Sequence, residues 1–314
     1  MDKPAVLVNC PISDDSRAAL ARRFDLLFIE DAPDRARFLS EQGPRIRAIV
    51  SDGPRDIDKQ MMDAMAGLQL IIGQGVGMDR IDLTEAKRRG IAVANGRGTN
   101  QESVADHAMA LLLAVVRGLL PGDALMRGRG GEAEGPRGET GTVHGKKLGI
   151  IGLGQIGLGV ARRAAGFGMD ILYHNPAPRA GVAYQYCESP LKLARAADHL
   201  VLSCPGGAAT RHLVDDDVLA GLGPGGVLVN VARGSVVDTA ALARALETGA
   251  IGGAGLDVIA GGAAVRAPLL HMQNVVMTPH LAGNTLEAGI AKDALTITIL
   301  TDFFAGREIA NRVV

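Results

Sequence analysis

Tryptophan is absent from this chain, and aromatic residues together make up only 3 % of it. A core without large rings must be assembled from Ala, Val, Leu, Ile and Met. Cysteine is scarce too. Cys10, Cys187 and Cys204 are widely spaced and odd in number, with no Cys-x-x-Cys pair among them. That argues against a disulfide framework and a zinc site, and a reduced cytoplasm fits best. An excess of charge of one sign is also missing: 33 basic against 34 acidic residues give a net charge of −1. Nothing therefore points to nucleic acid or to a membrane surface as a partner. No apolar run is long enough to span a bilayer. The longest, Val104 to Leu120, is interrupted by Asp106, His107 and Arg117 and ends at Pro121-Gly122, so it reads as a buried helix. The apolar run that Pro11 ends is too short for a signal-peptide core and reads as a first strand.

What is present is glycine, 42 in 314 residues, dispersed among apolar runs. Tight turns between strands and helices explain that distribution better than disorder does. The length suits two domains or one large one. Strand-like runs at Ala5–Asn9, Ala48–Ser51, Leu68–Gly73 and Ala92–Ala94 alternate with helical patterns at Ser13–Phe24, Lys59–Met65 and Leu83–Arg89. A Gly-, Arg- and Glu-rich segment, Arg127–Gly145, then breaks the pattern and reads as an exposed arm. The alternation restarts with a strand at Lys147–Gly152, a helix at Gln155–Phe167 and a strand at Asp170–His174. Short strands follow at His199–Ser203, Gly226–Asn230, Gly253–Asp257 and Asn274–Met277, and Leu286–Phe304 is again helical. Such alternation predicts an α/β fold of parallel sheets with helices on both faces.

Directly after one of these strands stands Ile150-Ile-Gly-Leu-Gly-Gln-Ile-Gly157, a Gly-x-Gly-x-x-Gly that opens a helix. In that context Gly152 permits the tight turn, Gly154 admits a pyrophosphate to the backbone, and Gly157 lets the helix pack close to the strand. The alternative is a merely structural turn. A dinucleotide fingerprint also calls for an acid roughly twenty residues on, to bond the ribose 2′-hydroxyl. Here the next strand ends in Asn175, with Arg179 close behind, while Asp170 stands at the wrong end. A neutral residue there removes repulsion against a 2′-phosphate, and Arg179 or His174 can attract one, so NADP(H) is favoured over NAD(H). Asn175 can still bond a hydroxyl, and Arg179 can equally be a solvated surface residue.

Further stretches occur in order: Gly75-Val-Gly-Met-Asp79, Asn100-Gln-Glu-Ser-Val-Ala-Asp106, Val229-Asn-Val-Ala-Arg-Gly-Ser235, Gly255-Leu-Asp257 and Thr278-Pro-His-Leu-Ala-Gly283. With these motifs the chain resembles, over nearly its whole length, the D-isomer-specific 2-hydroxyacid dehydrogenases. Its nearest likeness is to their glyoxylate/hydroxypyruvate and hydroxyphenylpyruvate reductase branch. The resemblance implies two Rossmann-like or flavodoxin-like domains, with the cofactor domain (99–285) inserted into the substrate domain (1–98 plus 286–314). It implies a substrate bound in the cleft between them, and a homodimer built through the long helix and the arm after it. It also implies reduction of a small 2-oxo acid to the D-2-hydroxy acid by NAD(P)H.

Residue by residue, the resemblance makes Arg233 the group that binds the carboxylate and oxo oxygen, a task for which a planar fork suits better than a lysine. An ion pair with some acid elsewhere is the structural alternative. His280 becomes the proton donor, a role open to a side chain that titrates near neutrality. The backbone amides of Val76 and Gly77 match the family's carboxylate-binding turn. Cofactor contacts are implied at Gly152, Gly154, Gln155, Ile156, Gly157, Asn175, Arg179, Cys204, Pro205, Thr210, Val231, Ala232, Asp257, His280, Ala282 and Gly283. His107 and His144 lack such a context and read as bystanders. Ser51-Asp52-Gly53 and Met78 are expected to shape the pocket.

One family feature is missing. A Glu that hydrogen-bonds the catalytic His normally stands five residues after the Asp of the Leu-Asp-Val turn. Here that position is Gly262, and no acid occurs between Asp257 and Glu287. Such a partner orients the imidazole and stabilises its protonated form. Its loss leaves three readings: another carboxylate or a water replaces it, the enzyme is slow or specialised, or the chain is a dinucleotide-sensing binding protein with negligible turnover.

Overall fold

A computed structural model describes residues 3–52, 56–128 and 139–314. Gly53 and most of the expected arm, residues 129–138, lie outside the described residues. The chain forms two compact units, Met1–Asn100 with Asn284–Val314, and Gln101–Gly283.

The first unit runs β1 (Ala5–Asn9), α1 (Asp14–Ala21), β2 (Asp25–Phe28), α2 (Arg35–Gln42), β3 (Ile46–Ser51), α3 (Lys59–Ala64), β4 (Leu70–Gly73), α4 (Leu83–Arg88) and β5 (Ala92–Asn95). Its five strands are parallel in the order β2-β1-β3-β4-β5, a doubly wound arrangement. Because successive side chains alternate across a strand, Val6, Val8, Val50 and Ile72 face one core while Leu7, Ile49 and Ile71 face another. Both faces are covered, which is why these strands read as continuous apolar runs. Two elements go beyond the expected pattern. β2 is a four-residue, half-buried edge strand, and α2 has no buried residue. Neither has a fully buried residue: Leu26 and Phe28 of β2 touch one core and Leu27 the other, and α2 contributes only the partly buried Phe38 and Leu39.

The second unit contains α5 (Gln101–Val116), α6 (Leu119–Met126), β6 (Lys147–Ile151), α7 (Gln155–Gly166), β7 (Asp170–His174), β8 (Gln185–Tyr186), α8 (Pro190–Ala196) and β9 (His199–Leu202). It continues with α9 (Asp216–Leu222), β10 (Val227–Asn230), α10 (Thr239–Glu247), β11 (Gly253–Leu256), α11 (Ala263–Arg266) and β12 (Val275–Met277). The sheet order is β12-β11-β10-β9-β6-β7-β8, all parallel. The winding reverses between β6 and β9, the place where doubly wound sheets bind ligands. α5 and α7 pack closely over one face. A Cβ built on Gly159 would lie 2.9 Å from Cβ of Ala105, so only glycine fits this contact unshifted.

The expected single helix over Val104–Leu120 is two helices. Gly118 takes a left-handed φ of 56°, and α5 and α6 are bent by 63° at the break. Pro121 and Gly122 therefore sit early in α6 and do not end the helix. Proline is tolerated in a first turn, where its missing N–H has no partner to lose. Among the described residues no single helix is long and apolar enough to cross a membrane.

The last helix, α12 (Leu286–Phe304), is capped by the Thr285 hydroxyl and belongs to the first unit. Ser13 donates to the Asp293 carboxylate through its hydroxyl at 2.7 Å and through its N–H at 3.1 Å. Ile299 and Leu300 complete the apolar layer over β1 and β3.

Candidate active site

The Gly-rich turn joins β6 to α7. Gly152 has φ +98°, and a Cβ there would lie 2.5 Å from the backbone nitrogen of Cys204, so a side chain is excluded on both grounds. A Cβ on Gly157 would lie 2.3 Å from the Gly152 carbonyl oxygen, whereas one on Gly154 would meet nothing within 4 Å. Two glycines thus permit close packing and the third leaves open space in front of the helix. Gly154 is the N-cap of α7 and supplies no side-chain cap, so the amides of Gln155 and Ile156 lack an intrahelical partner. An anion is stabilised at such an end. These residues fit the pyrophosphate of a dinucleotide.

At the end of β7, Asn175 accepts the Leu153 N–H on Oδ1 at 2.7 Å, and Arg179 donates from Nη1 to the Leu153 carbonyl at 2.8 Å. The Arg179 N–H donates to the Tyr173 hydroxyl at 2.9 Å. Both side chains are therefore held against the glycine turn. His174 points elsewhere, its Nδ1 lying 2.9 Å from the Cys187 carbonyl. Across the switch point, burial pushes the Cys204 thiol up to about 11, so it contributes as a neutral side chain. The loop beyond it is closed by the Thr210 hydroxyl on the Pro205 carbonyl at 2.8 Å.

Arg233 stands just past β10. The buried Asn230 carboxamide folds this turn, accepting from the Ala232 N–H and donating to the Arg233 carbonyl, both at 3.0 Å. Val231 and Ala232 are buried beside it, while Arg233 is half-buried and donates from Nη1 to the Ala232 carbonyl at 2.7 Å. A Cβ on Gly234 would lie 2.3 Å from the Ala260 nitrogen. The segment leading to Gly262 therefore packs directly on the Arg233 turn.

His280 sits in the turn after β12 with a left-handed φ of 55°. Its N–H donates to the Asp257 carbonyl at 2.9 Å. The Asp257 carboxylate, only 3 % exposed, accepts the Thr278 hydroxyl at 2.6 Å, the Leu281 N–H at 2.9 Å and the Ala282 N–H at 3.1 Å. Desolvation of the part of the ring lying against protein, together with the Arg233 guanidinium, lowers the His280 pKa, and Asp257 opposes this. Gly262 is exposed at the N-cap of α11, and a Cβ there would meet nothing within 4 Å. Among the described residues, Asp257 is the carboxylate whose charge reaches His280.

In the first unit the Val76–Gly77 turn follows β4, and Asn95 holds it by donating from Nδ2 to the Val76 carbonyl at 3.1 Å. Ser51, Asp52, Gly75, Gly77 and Met78 line a small cavity there. Two groups escaped the sequence reading. His107, expected to be a bystander, has Nε2 2.9 Å from the Thr278 hydroxyl and 3.6 Å from Asp257 Oδ1. Its signal in the sequence is a polar residue in an apolar helix. Lys292 of α12 is half-buried with its pKa lowered by desolvation, against the raising effect of Asp52, Cys10 and Asp293.

Residues 109–282 match the family model of the D-isomer specific 2-hydroxyacid dehydrogenase NAD-binding domain. Over 314 residues, the whole of both chains, the protein is 37 % identical to glyoxylate/hydroxypyruvate reductase A of Arabidopsis thaliana. It is 36 % identical, again over the whole of both chains, to hydroxyphenylpyruvate reductase of Plectranthus scutellarioides. Its fold superposes with a TM-score of 0.88 on the NADPH-dependent glyoxylate/hydroxypyruvate reductase of Sinorhizobium meliloti solved with NADP and malonate. That pair is 36 % identical, covering 100 % of this chain and 97 % of the other. With a dinucleotide turn at the sheet's switch point and end-to-end likeness to these reductases, the chain belongs to the D-isomer-specific 2-hydroxyacid dehydrogenase family and is an NAD(P)-dependent oxidoreductase.

Proposed function

We propose that the protein reduces a small 2-oxo acid of the glyoxylate, hydroxypyruvate or arylpyruvate kind to the D-2-hydroxy acid, preferring NADPH to NADH. The observation that carries this reading is that the Arg233 guanidinium lies within electrostatic reach of the His280 imidazole. A 2-oxo acid needs both groups, one for its carboxylate and oxo oxygen and one for its proton. Bound NAD(P)H supplies the hydride to the carbonyl carbon. Arg233 binds the carboxylate through its fork and stabilises the negative charge that develops on the oxo oxygen. His280 gives that oxygen its proton, which completes the hydroxyl group. In the first unit, taken by itself, the Val76–Gly77 turn offers backbone amides suited to a carboxylate, and Ser51, Asp52 and Met78 line the small cavity beside it.

The preference for NADPH is supported by the absence of an acid at the end of β7 and by Arg179 being anchored at the glycine turn. NADPH dependence of the Sinorhizobium meliloti reductase agrees with it. With Gly262 in place of the usual Glu, turnover is reduced but not abolished, because Arg233, His280 and Asp257 remain. A cytoplasmic setting is consistent with three free, buried cysteines. A homodimer built through α5 and α6 is supported by Leu119, Leu120 and Met126, apolar residues left exposed on α6.

The test is oxidation of NADPH and of NADH in the presence of glyoxylate, hydroxypyruvate and arylpyruvates, followed by nicotinamide absorbance. Turnover that is lost in Arg233→Ala and in His280→Ala is the expected result. Tight dinucleotide binding with no turnover on any of these acids would instead make the chain a dinucleotide sensor.

A further inference from the structure

We propose that His107 is a positioning residue for His280, acting through Thr278 and Asp257. The inference rests on His280 being the proton donor. Thr278 has one hydroxyl proton, and Asp257 Oδ1, 2.6 Å away, is an acceptor. Thr278 Oγ1 therefore accepts from His107, which must carry its proton on Nε2 at 2.9 Å. The result is a continuous chain from α5 into the turn: His107 N–H to Thr278 O–H to the Asp257 carboxylate. That carboxylate accepts the N–H groups of Leu281 and Ala282, while the Asp257 carbonyl accepts the N–H of His280 itself.

These bonds hold His280 at a positive φ that a histidine disfavours. In a protein with a carboxylate at position 262, the ring would be oriented from the side-chain end. Here Gly262 offers nothing of that kind, so the ring is positioned through its own backbone turn. Among the described residues the charged groups that act on His280 are Arg233 and Asp257, and Asp257 also faces His107 at 3.6 Å. Glu102 and Asp106, also on α5, are engaged with Arg162 and Arg163 of α7. A looser turn lets the ring drift from Asp257, whose charge favours its protonated form.

Three variants test this: His107→Leu, which removes the donor; His107→Gln, whose amide nitrogen can donate from a similar reach; and Thr278→Val, which cuts the next link. His107→Leu is expected to lower kcat about tenfold, a part of what a positioned acid contributes, with the KM for NADPH unchanged. The imidazole pKa of His280, followed by NMR without any turnover, should fall, and the descending limb of the pH–rate profile should move to lower pH. His107→Gln should retain most of the activity. Thr278→Val should reproduce the Leu effect, and the double variant should be no worse than either single one, because both cut the same chain. A His107→Leu protein with unchanged kcat and unchanged His280 titration overturns the proposal, as does additivity in the double variant. If the Leu variant fails to fold, Thr278→Val with an unchanged His280 titration overturns it. His280→Ala separates the two levels. An active His280→Ala enzyme would sink the proton-donor assignment, whereas an inactive one beside silent His107 variants would sink only the positioning role.

Discussion

His280 titrates between opposing influences: desolvation and Arg233 lower its pKa, and Asp257 raises it. With His280 as the proposed proton donor, reduction would need the protonated ring, so its rate should fall as pH rises through that lowered value. The descending limb of kcat/KM is thus expected at a pH below that of an ordinary histidine, measurable as a pH–rate profile. Gly262→Glu should shift that limb upward and raise kcat by up to about tenfold, since a neighbouring carboxylate favours the charged imidazole. Nothing opposes the first atom of the new side chain, because Gly262 is exposed and a Cβ there meets nothing within 4 Å. An unchanged profile would mean that another group already serves the ring. Arg233→Lys keeps the charge but loses the bidentate fork, and kcat/KM for the 2-oxo acid should drop about 10²-fold or more. NADPH binding, measured by fluorescence titration, should hardly change in that variant.

At the scale of elements, the β6–α7 turn is the most demanding piece of backbone. Gly152→Ala combines a forbidden φ with a Cβ placed 2.5 Å from the Cys204 nitrogen. The conformational part alone is of order 1–3 kcal/mol, and the clash bends the turn proposed to meet the pyrophosphate. A lower melting temperature together with loss of NADPH binding is the expected outcome, whereas wild-type affinity would contradict the assigned role of this turn. The turn was legible in the sequence because its residues are contiguous and its strand and helix flank it. β2 and α2 were not legible, since a four-residue edge strand and a helix that touches the core only through Phe38 and Leu39 are too short and too shallowly buried to show a clear apolar period. The break between α5 and α6 was missed for a different reason. Apolar residues continue through Gly118, and hydrophobicity does not record a left-handed residue.

For the molecule as a whole, two features bear on stability and assembly. His199 in β9 is 5 % exposed, and desolvation lowers its pKa below that of the unfolded chain. The unfolded state therefore binds more protons there, and folding stability is lost as pH falls from the unfolded value toward the folded one. Urea midpoints measured at descending pH should show this slope, and His199→Leu should flatten it. No protein partner satisfies either ring nitrogen among the described residues, so Leu leaves no stranded hydrogen-bonding group behind. The exposed face of α6 leads to the second expectation, a dimer by sedimentation. Leu119→Glu with Leu120→Glu should give monomers if that face is the interface, and a dimer that persists would place the interface elsewhere.

The sequence by itself determined the α/β class, the dinucleotide turn and the residues from which the chemistry is argued, because each of those signals is local. A Gly-x-Gly-x-x-Gly or a Thr-Pro-His is read within one turn of chain, and a buried parallel strand announces itself by its apolar run. Tertiary structure alone decided which groups share a charge or a proton. His107 and Thr278 are 171 positions apart and meet only because α5 packs on the sheet that ends in the His280 turn. Asp257 reaches the amides of Leu281 and Ala282 because β11 and β12 run side by side and in parallel. Hydrogen bonding and desolvation act over ångströms of space, and spacing along a chain does not encode them.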